Sequence, residues 1–71
     1  MKARFRTPAQ YRKPSVEFEA IRFDGSNEAE VRSVVPSGRV LESGFWYFKL
    51  EGIVRQVDDE TMRSHFIPEV D

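Results

Sequence analysis

Residues 45–57 read FWYFKLEGIVRQV. Two runs rich in aromatic and β-branched residues, 45–50 and 53–57, flank the pair Glu51-Gly52. A two-residue link ending in glycine between such runs is the local signature of a β-hairpin. Upstream, Val16-Glu17-Phe18-Glu19-Ala20 alternates apolar and acidic residues, as a half-buried strand does. Its phase slips at Ala20-Ile21. Either both faces of the strand are covered there or a bulge bends it, and we expect the bulge. Asp24-Gly25 closes the strand with a turn pair.

Residues 26–35 carry the helical pattern. Val31, Val34 and Val35 form one apolar stripe, and Asn27 with Glu30 has the spacing of a capping box. Pro36-Ser37-Gly38 stops the helix. So short a helix cannot stand alone and needs a sheet to pack on. Brief strands are expected at 39–42 and 64–67, with a single helical turn over 58–62 capped by Asp58. The expected fold class is α+β: a small antiparallel sheet of four to five strands with one helix packed across one face. Its core draws on Val16, Phe18, Ile21, Val31, Val34, Leu41, Trp46, Phe48, Leu50, Val54 and Phe66.

Seventy-one residues allow one domain, and without cysteine no disulfide or thiolate metal site can staple it. The longest apolar stretch, residues 44–48, falls far short of the ~20 residues of a membrane-spanning helix. A soluble, cytoplasmic monomer is expected, with no membrane partner. Charge divides the chain unevenly. Residues 1–15 hold five bases, Lys2, Arg4, Arg6, Arg12 and Lys13, and no acid, while residues 16–71 hold six bases against twelve acids. With two prolines and few apolar residues, the first segment reads as a mobile basic arm, residues 1–13, ahead of a single domain, 14–71. Such asymmetry suggests a charged partner.

Catalysis finds little support. His65 is the sole histidine, and the four glycines are isolated, so neither a His/Cys metal site nor a phosphate loop is present. Ser64 adjoins His65, but neighbours in a strand point to opposite faces. Asp58-Asp59-Glu60 reads as a helix cap and lacks the alternating ligand spacing of a calcium loop. Glu17 and Glu19 read as a solvated strand face. No catalytic residue, metal or cofactor is assigned, and a binding protein is expected instead of an enzyme. The contact residues would include aromatics. Consecutive strand positions send Trp46 and Phe48 to one side and Phe45 and Tyr47 to the other. With one helix, only one side is covered, leaving Phe45 and Tyr47 as exposed contact residues, unless both pairs build a thin core.

The stretch YRKPSVEFEAIRFDG at 11–25, then a helix, GFWYFKLEG at 44–52 and FIP at 66–68 together resemble a family of short phage and prophage proteins. Its members open on Tyr-Arg-Lys-Lys-Pro, run a strand into aromatic-Asp/Thr-Gly, carry a Pro-Gly-Asp-Trp/Tyr hairpin, and close on an aromatic and a proline. Pro14, Gly25, Gly44, Trp46, Gly52, Phe66 and Pro68 fall on that pattern. Ser43-Gly44-Phe45 departs from Pro-Gly-Asp, the hairpin is one glycine shorter after Lys49, and Gln56-Val57-Asp58-Asp59 replaces a Pro-Cys-Lys-Pro run. The resemblance implies a phage protein acting by binding in the cytoplasm of an infected bacterium. Its charge layout is similar to that of phage regulators that seize bacterial RNA polymerase. On that reading Lys2, Arg4, Arg6, Arg12 and Lys13 contact nucleic acid or an acidic polymerase surface, and Phe45 and Tyr47 dock on a subunit. The alternatives are an inhibitor of another host protein, of defence or metabolism, and a minor phage structural or nucleic-acid-binding protein.

Overall fold

The computed structural model describes residues 1–69. Five strands, β1 (Lys2–Arg6), β2 (Glu17–Arg22), β3 (Trp46–Leu50), β4 (Ile53–Val57) and β5 (Ile67–Pro68), form one antiparallel sheet in the order β4-β3-β2-β1-β5. Two short helices, α1 (Glu28–Arg32) and α2 (Asp59–His65), complete a small α+β fold. The hairpin that opened the sequence reading is β3–β4. Glu51 and Gly52 both take positive φ, 53° and 79°, the left-handed pair that matches strand twist in a tight hairpin.

The expected bulge is absent. Residues of β1 and β2 pair one to one from Lys2↔Ile21 to Arg6↔Glu17, so the phase slip marks a strand covered on both faces. On the first face Phe5, Phe18, Ala20, Trp46 and Phe48 pack with Met62 of α2. Phe18 stacks on Phe48 with ring centroids 4.6 Å apart, and Phe66 meets both edge-on at 5.2 and 5.5 Å. On the second face Ile21 and Tyr47 pack with Val31 and Val35, the α1 side of the molecule. The helix expected over 26–35 thus lies on the second face, and the turn expected at 58–62 is a second short helix on the first.

The N-terminus differs most from expectation. Residues 1–13 are not a mobile arm, because β1 lies inside the sheet between β2 and β5. Lys2-Ala3-Arg4-Phe5-Arg6 alternates in charge and bulk, so Phe5, 5% exposed, enters the first core while the three bases face the other way. Further backbone bonds tie the start and the middle of this strand: the Arg22 N–H donates to Met1 O at 2.8 Å and the Glu69 N–H to Arg4 O at 2.9 Å. The chain from residue 2 to residue 69 is thus one unit, interrupted only by an excursion over residues 7–16.

Smaller differences have local causes. Asn27 does not cap α1. Its Oδ1 accepts from the Asp24 N–H at 3.0 Å, and its Nδ2 donates to Arg22 O at 2.9 Å and to Glu30 Oε1 at 3.2 Å, stitching the helix start to the end of β2. The regular helix is Glu28–Arg32, and a looser turn brings Val35 back, its N–H bonded to Val31 O. Asp58 caps α2 as expected, accepting from the Thr61 N–H at 2.7 Å, but the helix continues to His65 and shortens the final strand to two residues. Residues 39–42 form no strand. There the Glu42 N–H donates to the Tyr47 hydroxyl oxygen at 2.7 Å, while Leu41 packs against the second core. Val16, expected inside, is 44% exposed. The two sheet edges are unequal: β5 offers two residues, one of them Pro68, whereas β4 offers five and no proline. Among the described residues no helix is long and apolar enough to cross a membrane.

Candidate functional site

The excursion between β1 and β2 is a finger. At its root the Thr7 N–H donates to Val16 O at 2.9 Å, the Val16 N–H donates to Thr7 Oγ1 at 2.9 Å, and the Ser15 hydroxyl donates to Thr7 O. Near its tip Gln10 and Lys13 exchange both backbone bonds, at 2.9 and 2.8 Å, leaving Tyr11 and Arg12 as a two-residue turn. Pro8 and Pro14 fix φ on either limb of the finger. Tyr11 is 90% exposed. Arg12 has φ of 68°, a left-handed conformation that costs a residue with Cβ roughly 1–2 kcal/mol. Its guanidinium carbon sits 5.4 Å from the centroid of the Tyr11 ring, within cation–π range.

The five bases singled out in the sequence are therefore split into two groups. Lys2, Arg4 and Arg6 lie on the second face of β1, where Arg4 stands opposite Glu19 and Arg6 opposite Glu17. Lys2 Nζ approaches Glu19 Oε1 at 3.7 Å and Arg6 Nε approaches Glu69 Oε1 at 3.8 Å. Arg4, Arg12 and Lys13 form no ion pair among the described residues, but Arg4 shares its sheet face with Glu17 and Glu19 whereas Arg12 and Lys13 stand on the finger. Phe45 and Tyr47 are not exposed contact residues. Tyr47 is fully buried, and Phe45 packs against the second core, because α1 lies on their face while α2 covers the Trp46 and Phe48 side. The finger itself was missed: the sequence marks it only by Pro8, Pro14 and a polar stretch between them.

The remaining candidates serve the fold. Asp59 Oδ1 accepts from the Trp46 indole N–H at 2.9 Å and Oδ2 from Arg63 Nε at 3.0 Å. The Trp46 bond, then the Arg63 bond, holds the Asp59 carboxyl below the usual aspartate range. Hydrogen bonding from Thr61, side chain first and then backbone, does the same for Asp58. Ser64 and His65 lie in α2 instead of a strand. Ser64 Oγ donates to Glu60 O at 2.9 Å and lies 3.2 Å from His65 Nδ1, which is equally close to Thr61 O. The serine hydroxyl is thus engaged by helix carbonyls, and no salt bridge joins His65 to a carboxylate among the described residues. Among those residues no group of three or more His, Asp or Glu is placed to hold a metal ion.

Between the finger and the first face of the sheet lies an open groove of about 440 Å³. Pro8, Pro14 and Val16 wall it on the finger side, and Leu50 and Phe66 on the body side. Lys13, Arg55, His65 and Glu51 supply its charged and titratable groups. Comparison of the chain with family models, with curated proteins and with solved structures finds no match.

Proposed function

We propose that this chain is a phage-encoded binding protein that docks on host RNA polymerase through its finger and regulates bacterial transcription by protein–protein contact. One observation carries the docking surface: a highly exposed aromatic and two bases without an ion pair among the described residues sit on a finger that is hydrogen-bonded at its base and held in a left-handed conformation at its tip. Exposed tyrosine and arginine are the residue types that anchor protein interfaces, and backbone strain of this kind concentrates at functional positions. The choice of polymerase rests on the family resemblance and charge layout. No chemical step is involved; binding would occlude a surface or hold the target in one of its conformations. Relative to the sequence expectation, Tyr11 takes the docking role given to Phe45 and Tyr47, Arg12 and Lys13 keep their contact role beside it, and Lys2, Arg4 and Arg6, placed on β1, are not part of the finger.

Affinity capture from lysate of a susceptible bacterium, with and without nuclease, tests this reading. The expected result is capture of polymerase subunits that survives nuclease and disappears when Tyr11, Arg12 and Lys13 are all replaced by alanine. Capture of one different host protein overturns the polymerase assignment in favour of an inhibitor, and capture that is unaffected by the triple replacement overturns the finger.

A further inference from the structure

We infer that the groove beneath the finger receives an acidic–apolar peptide segment, with one carboxylate set against Lys13 and Arg55 and a bulky apolar side chain on Leu50 and Phe66. This rests on the reading of the chain as a protein-binding module and names the chemistry of what it binds. The groove's volume, about 440 Å³, lies within the usual range of small-ligand sites, roughly 300–1,000 Å³. Pro8, Pro14, Val16, Leu50 and Phe66 give it an apolar wall beside polar Thr7 and Gln10, so the occupant must bring some apolar surface.

Charge sets the second requirement. Lys13 and Arg55 line the groove and neither forms an ion pair among the described residues. Glu51 is the single acid on the lining. An arginine and a lysine without a carboxylate favour an incoming one, since charge-assisted hydrogen bonds are about twice as strong as neutral ones.

A nucleic-acid strand fits less well. Strand binding of that kind relies on exposed aromatic faces for base stacking. Phe66 is already committed to edge contacts with Phe18 and Phe48, and Tyr11 stands at the fingertip, outside the groove lining.

Nitrogen-15 NMR titration of the full chain tests this with three probes: acetyl-Glu-Leu-Phe-amide and its Gln and Lys counterparts. The Glu peptide is expected to shift the amide signals of Lys13, Leu50, Arg55 and Phe66, and to bind about tenfold more tightly than the Gln peptide. Arg55→Glu, a change on an exposed strand position, is expected to reverse the order and favour the Lys peptide while leaving distant signals unmoved. Equal affinity for all three peptides, no shifts at millimolar peptide, or an Arg55→Glu protein with unchanged preference each overturns the proposal. So does an oligothymidylate that shifts the same signals more tightly with a steep salt dependence. No polymerase enters this titration, so it can succeed where capture finds another host protein, and it can fail while capture through the fingertip persists.

Discussion

Lys2, Arg4 and Arg6 on one side and Arg12 and Lys13 on the other are the same chemistry a few residues apart, yet the fold gives them opposite circumstances. The first three are one row of a ladder, facing a row of glutamates on β2. The last two stand on the finger and form no ion pair among the described residues. A run of bases in a sequence is therefore not a unit of function. Register decides which charges are neutralised and which are left to meet a partner.

The comparison can be broken most directly by removing residues 1–6. If they were an arm the fold would survive; as an interior strand their loss strips β2 and β5 of their shared neighbour, and we expect loss of NMR chemical-shift dispersion and of cooperative unfolding. Next in size is Phe5→Ala. Phe→Ala in a core costs about 3–5 kcal/mol, comparable with the ~3–5 kcal/mol that a core of this size supplies, so urea titration should find the variant largely unfolded in buffer. Acid separates body from finger. Asp24, Asp58 and Asp59 are held below the ordinary aspartate value, Asp24 first by its side-chain bond from Ser26. A lowered folded-state pKa contributes stability that is complete above the unfolded value of about 3.9 and is lost as pH falls through the folded one. Thermal midpoints should therefore drop below about pH 4, and Asp59→Asn should lower the midpoint at neutral pH while flattening that acid decline.

The smaller effects sharpen the contrast. Arg12→Gly relieves a left-handed residue but adds unfolded-state freedom, so stability should stay within about 1 kcal/mol or rise slightly, while host-protein capture falls. Lys2→Ala removes an exposed ion pair and should cost less than about 1 kcal/mol by chemical denaturation, with capture unchanged.

Local signals carried much of the fold. The Glu51-Gly52 turn, the Val31 stripe and the Asp58 cap each act within a few residues, and each is where the sequence places it. The rest depends on partners distant in the chain. Lys2-Ala3-Arg4-Phe5-Arg6 does alternate, but Ala3 is small and Phe5 single, so charge masked a strand that β2 and β5 stabilise from both sides. The extension of α2 was also legible, in Asp59 and Glu60 near its start and Arg63 and His65 near its end, which complement the helix dipole. Tyr47 could not be placed without knowing that a second layer covers its face. For the candidate site, Arg12 and Lys13 were found as charges but not as a fingertip, because a turn that sets arginine left-handed departs from the glycine or asparagine such positions favour.

The unequal sheet edges bear on how copies of this chain could assemble. A filament built by strand addition needs two receptive sides, so that every newcomer leaves one free for the next. Among the described residues β4 presents the longer run for recruiting another strand, since β5 is two residues with a proline among them. Among the described residues, pairing of two β4 edges would use up the longer edge of each copy, so strand addition by this route would favour a pair over a filament.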